Sequence, residues 1–217
     1  MNEIRKKRII ITGVPRSGTT AIKRLLGSNP GMEIIPFKSI TEGLLEIESE
    51  YSQDTVKVWK RTRWIEKEHL TRLKELYGDS THFVLVYRYP RDCYVSLLEL
   101  NTFRDKKTHT WVKFSDEDSY IKRFEEFYAT AIELLKCTSH TFVCYEWFCC
   151  KPLDYKKSIL LQVGVKSDEV NLYDNKDRSD EDAKCLSQSS INNNSVFKWG
   201  RTKKCDEIYE RIQNLTR

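Results

Sequence analysis

Two arginine-containing segments carry most of the chemistry this sequence can offer. The first reads Ile9-Ile10-Ile11-Thr12-Gly13-Val14-Pro15-Arg16-Ser17-Gly18-Thr19-Thr20: a β-branched run, a turn bounded by glycines, then a helix-compatible stretch. Gly13 and Gly18 have the G-x-x-x-x-G spacing of a phosphate-binding loop, but Thr19 stands where a nucleoside-triphosphate site carries its lysine. A strand that turns sharply into a helix aims backbone N–H groups and the positive end of the helix dipole at one point. At Gly13 and Gly18 an anion can come close because no Cβ stands in the way. Ser17, Thr19 and Thr20 add hydroxyls, and Arg16 adds a fixed positive charge. That charge lies upstream of the lysine position, so a γ-phosphate and its magnesium ion are poorly served. Glycine spacing alone would also suit an ordinary strand-turn-helix junction.

The second segment is Arg88-Tyr89-Pro90-Arg91-Asp92-Cys93-Tyr94-Val95-Ser96. Pro90 biases Tyr89 out of helical geometry and ends the strand before it. The following helix then carries Ser96 about two turns up. An arginine fork with a nearby hydroxyl is a good clamp for a second phosphate. A strand-capping arginine paired with a carboxylate is the plainer reading.

Elements must position these groups. Short β-rich runs occur at Arg8–Thr12, Met32–Ile35, Thr55–Trp59, His82–Tyr87 and Thr141–Tyr145. Helical periodicity joins Ile65, His69, Leu73, Leu76 and Tyr77. It also joins Tyr120, Ile121, Phe124, Phe127, Tyr128, Ala131, Ile132 and Leu135, with Ser115 and Asp118 as a capping box. Further helices are expected at Ser39–Glu48, Pro152–Val163 and Lys203–Leu215. Strands alternating with helices predict an α/β fold: three layers, a mostly parallel central sheet with helices on both faces, P-loop-NTPase-like. In such sheets ligands bind beyond the carboxyl ends of the strands. The whole of 1–217 reads as a single domain. Within it, 171–195, rich in Asp, Asn and Ser, is either a flexible lid or a disordered connection.

The chain has 217 residues, 39% hydrophobic, and a net charge of +5. That charge suits an anionic ligand but is too small and scattered to argue for nucleic acid. No apolar run approaches the ~20 residues that span a bilayer. Met1–Arg8 is charged and does not read as a signal peptide. Seven cysteines without a C-x-x-C pair read as buried free thiols of a cytoplasmic protein, and neither they nor the four histidines are spaced for a metal.

ITGVPRSGTT followed by VLVYRYPRDCYVSLL resembles the sulfotransferases that use 3′-phosphoadenosine 5′-phosphosulfate (PAPS). In that family P-[KR]-S-G-T-T, here Pro15, Arg16, Ser17, Gly18, Thr19 and Thr20, holds the 5′-phosphosulfate. Its R-x-P-[KR]-D-x-x-x-S motif holds the 3′-phosphate through residues that fall on Arg88 and Ser96. Val143-Cys144-Tyr145-Glu146 is similar to the family's Y-E-D segment, whose tyrosine, here Tyr145, lies near the adenine. Ser195–Arg201 is similar to its C-terminal basic loop, which implies Lys198, Gly200 and Arg201 as donor contacts. Val56–Trp59 followed by Lys60 resembles the strand that ends in a basic residue near the transferred group. The resemblance implies transfer of a sulfuryl group to a hydroxyl or amine of a small-molecule or carbohydrate acceptor, without a metal, with Arg16 and Lys60 as electrostatic partners.

The chain departs from the family at the base. Lys60-Arg61-Thr62 has no histidine where cytosolic members carry K-T-H. Carbohydrate-modifying members use a glutamate after the first helix and second strand, which implies Glu42 as the general base, with Glu46 less well placed and His109 an outside candidate. Thr102–Phe114, with Trp111, and 171–195 are expected to border the acceptor. A kinase with a degenerate P-loop and a non-catalytic nucleotide-binding module are the alternatives.

Overall fold

The computed structural model describes residues 7–35, 54–61, 71, 75, 78–103, 116–165 and 203–215. Five strands form one sheet in the order β2-β3-β1-β4-β5, and every pairing is parallel. They are β1 (Arg8–Thr12), β2 (Met32–Ile34), β3 (Val56–Arg61), β4 (Thr81–Tyr87) and β5 (His140–Cys144). The described helices are α1 (Thr19–Gly27), α2 (Pro90–Phe103), α3 (Glu117–Leu135), α4 (Tyr145–Cys150), α5 (Pro152–Gln162) and α6 (Lys203–Leu215).

β1 is the central strand and is buried throughout, as its run of three isoleucines requires of a strand covered on both faces. Alternate side chains divide between two cores. Ile9 and Ile11 join Val58, Val84, Val86 and Val143 against Ile22, Leu25 and Leu26 of α1 and Ile159 and Leu160 of α5. Ile10 joins Phe83, Leu85 and Tyr87 against Cys93 and Leu97 of α2 and the aromatic stripe of α3. Each fully buried isoleucine contributes roughly 1.5–3 kcal/mol of transfer free energy. Helices therefore cover both faces, as expected.

The chain leaves β1 toward the β3–β2 side through α1, and leaves β4 toward the other face through α2. Neighbouring strands whose continuations part in this way open a crevice at their carboxyl ends. The register Thr12↔Leu85 brings the loop after β1 beside the end of β4.

Several boundaries differ from those read in the sequence. β3 runs on through Lys60 to Arg61, so the lysine lies within the strand and not after it. Tyr145 is the first residue of α4 and not the last of a strand. The cap of α3 is Asp116, whose side chain accepts from Ser119 N–H, one residue on from the expected Ser115–Asp118 box. The expected helices at Ser39–Glu48 and around Ile65–Tyr77 lie outside the described residues or largely so.

Candidate functional site

The loop between β1 and α1 is built around two left-handed residues, Arg16 at φ 72° and Gly18 at φ 101°. Gly18 is the N-cap of α1 and provides no side-chain cap. Its carbonyl accepts from Ala21 and Ile22 N–H, which leaves the N–H groups of Thr19 and Thr20 at the helix start without intrahelical partners. Those donors and the dipole of α1 make the anion-binding end expected of the glycine spacing. A Cβ on Gly18 would come within 2.1 Å of Tyr145 Cδ2, and one on Gly13 within 2.5 Å of the Val86 carbonyl oxygen. Close packing requires glycine at both positions, and at Gly18 the left-handed backbone requires it as well.

The second arginine meets this loop directly. Arg88 follows β4, is 5% exposed, and donates through Nη1 to the Arg16 carbonyl at 3.1 Å. Its Nη2 lies 3.9 Å from Asp92 Oδ2, in the first turn of α2. Its Cζ stands 4.9 Å from the centroid of the Tyr145 ring. Arg16 in turn donates from Nε to Ser96 Oγ at 2.9 Å. On the other flank, Lys60 Nζ donates to Thr20 Oγ1 at 2.7 Å. Arg16, Lys60, Arg88, Ser96, Thr20 and Tyr145 therefore converge on one rim, at the carboxyl ends of β3, β1, β4 and β5. Ser17 differs: its side chain is fully buried, faces Gly13 and lies by the Tyr128 phenol. Glu42, Glu46, His109, Trp111, Lys198, Gly200 and Arg201 lie outside the described residues.

Beneath the rim sits a polar layer that sequence reasoning missed. Glu146 is buried and accepts from Tyr89 N–H at 2.8 Å, from Cys144 Sγ at 3.2 Å and from Tyr209 OH of α6 at 3.0 Å. Tyr128 OH donates to the Val86 carbonyl at 2.5 Å. Burial pushes the Cys93 thiol up to about 12, the Arg88 charge opposing it only in part, and pushes the Cys144 thiol up to about 12 as well. These thiols stay protonated and act as small core side chains, whereas Cys137 and Cys150 are exposed. The i, i+4 spacing of Arg88 and Asp92 at a helix start was the one sequence signal for this layer.

Over 98% of its length the chain resembles the sulfotransferase domain of the Synechococcus PCC 7002 olefin synthase, with TM-score 0.69, 15% identity and 97% of that domain covered. The chain has the sulfotransferase fold. A sulfotransferase domain from the curacin biosynthetic pathway gives TM-score 0.68 at 14% identity, over 97% of this chain and 99% of that one. A mouse sulfotransferase complexed with PAP gives 0.61 at 13% identity, over 98% and 84%. No protein-family model matches the sequence, and no curated protein sequence does. Identities this low speak for the sulfotransferase fold alone.

Proposed function

We propose that the chain is a sulfotransferase that moves the sulfuryl group of PAPS to a hydroxyl or amine of an acceptor. The observation that carries this reading is the chain of contacts Arg88–Arg16–Ser96, which joins two anion grips at one rim. A donor with a 5′-phosphosulfate and a 3′-phosphate offers two anionic ends to such a pair of grips, and it has no triphosphate chain to need the lysine that Thr19 replaces. The mouse protein of the same fold that was crystallised with PAP supports the same ligand class.

In this reading the helix-start N–H groups, Thr20, Lys60 and Arg16 hold the 5′-phosphosulfate, and Arg88 and Ser96 hold the 3′-phosphate, with Lys198, Gly200 and Arg201 as the further donor contacts that the resemblance implies. The acceptor oxygen forms a bond to sulfur as the bond from sulfur to the bridging phosphate oxygen breaks in line. The acceptor proton passes to a base, for which Glu42 is our candidate, and 3′-phosphoadenosine 5′-phosphate (PAP) leaves. Charge builds on the leaving phosphate, and Lys60 and Arg16 are our candidates for stabilising it. The acceptor class is a hydroxylated small molecule or carbohydrate.

The test is transfer of labelled sulfate from PAPS to a panel of hydroxylated and amine acceptors in the presence of a chelator. Labelled acceptor is expected with the wild-type protein and about 100-fold less with Lys60→Ala. No labelled product from any acceptor, with PAP nonetheless bound, would leave a nucleotide-binding module instead.

A further inference from the structure

The tyrosine that opens α4 is expected, by resemblance, to lie near the adenine, but its surroundings here are already taken. The Cδ2–Cε2 edge of Tyr145 lies against Gly18, closely enough that no Cβ fits between them. The Arg88 guanidinium stands over the ring. Phe148 packs near-parallel to it, with centroids 6.2 Å apart and an interplanar angle of 29°. The residue is 9% exposed.

Arg88 itself sits in a demanding place. It is a buried cation whose carboxylate partner, Asp92, stands at 3.9 Å, longer than a good ionic hydrogen bond. The negative face of an aromatic ring helps hold such a charge where water is excluded. Glu146 works on the same junction from the backbone side, since it accepts from the N–H of Tyr89, the residue after Arg88.

We infer that Tyr145 is a positioning residue for the Arg88 guanidinium, fixing it between the Arg16 carbonyl and Asp92 for the 3′-phosphate, and is not a platform for the nucleobase. The inference rests on the proposed function, and the two fail in different ways. If Tyr145 acts through Arg88, its loss is felt only by ligands that carry a 3′-phosphate. If it touches the base, every adenine nucleotide feels it.

The experiment is calorimetric titration of the full chain with PAP and with 5′-AMP, which lacks the 3′-phosphate. Tyr145→Leu is expected to weaken PAP roughly 10- to 30-fold and to leave 5′-AMP within about twofold, while Tyr145→Phe restores PAP binding. A series of fluorinated phenylalanines at 145 keeps the ring's shape while draining its negative face, so it reads the same contact where Leu impairs folding. PAP affinity should fall stepwise along that series and 5′-AMP affinity should stay flat. Parallel losses for both ligands, or a flat PAP response to fluorination, would overturn the inference. A wild-type protein that binds PAP no better than 5′-AMP would overturn the proposed function instead.

Discussion

Arg16 holds a backbone conformation that costs a non-glycine residue about 1–2 kcal/mol, and two hydrogen bonds keep it there. Arg88 fixes its carbonyl and Ser96 fixes its side chain, so strain in the loop is balanced by the second grip. Removing either arginine should therefore affect both ends of the donor, but unequally. Arg16→Ala is expected to lower kcat about 100-fold or more, and Arg88→Ala to act mainly by raising KM for PAPS; steady-state kinetics on both variants check the division. Equal small effects on both constants would contradict it. Asp92→Ala leaves the Arg88 charge buried beside a lost partner and should cost about 3–5 kcal/mol in urea unfolding. At this scale the residue types were legible from the glycine spacing and from Arg88 and Ser96. Their mutual contact was not, because Arg16 and Ser96 are eighty positions apart and only the β1–β4 register brings them together.

The loop works because the elements around it fit without slack. Gly18 joins a left-handed turn to α1 and gives room for the ring at the start of α4, so Gly18→Ala meets a backbone penalty and a side-chain clash together. We expect that variant to lose PAP binding by calorimetry well before it loses its far-ultraviolet circular dichroism. α3 is pinned to the carboxyl end of β4 by Tyr128, whose phenol holds the Val86 carbonyl opposite Gly13. Tyr128→Phe should cost about 0.5–1.5 kcal/mol of unfolding free energy, more if the carbonyl stays unpaired. Elements with a clear period were readable: β1 and α6 have the expected bounds, and β4 and α5 fall within one residue of theirs. The short α4 was not readable, because six residues offer too few turns to show a period and Val143-Cys144-Tyr145 continues a β-rich run. Asp116 capped α3 in place of Ser115 because a carboxylate at that position reaches Ser119 N–H directly.

Across the whole molecule, the switch point between β1 and β4 sets the rim where both grips lie, and the core beneath it is rich in protonated thiols. Burial pushes Cys93 and Cys144 up to about 12 and Cys149 up to about 11 from 9.0, so the unfolded chain releases those protons first. Their contribution to stability is whole below pH 9 and is lost as pH rises from about 9 toward 12; urea melts at pH 8 and pH 10 should show the decline. Sheet order and the crossing of α1 and α2 to opposite faces were legible only as a class, since strand order depends on packing between segments far apart in sequence. The two grips are expected to serve one ligand without a metal. Thermal melting in a chelator, with PAP at a hundred times its Kd, tests it directly: a gain of about 2.7 kcal/mol, a shift of several degrees, is expected, with no shift from ATP and magnesium. Stabilisation by ATP with magnesium and none by PAP would contradict it.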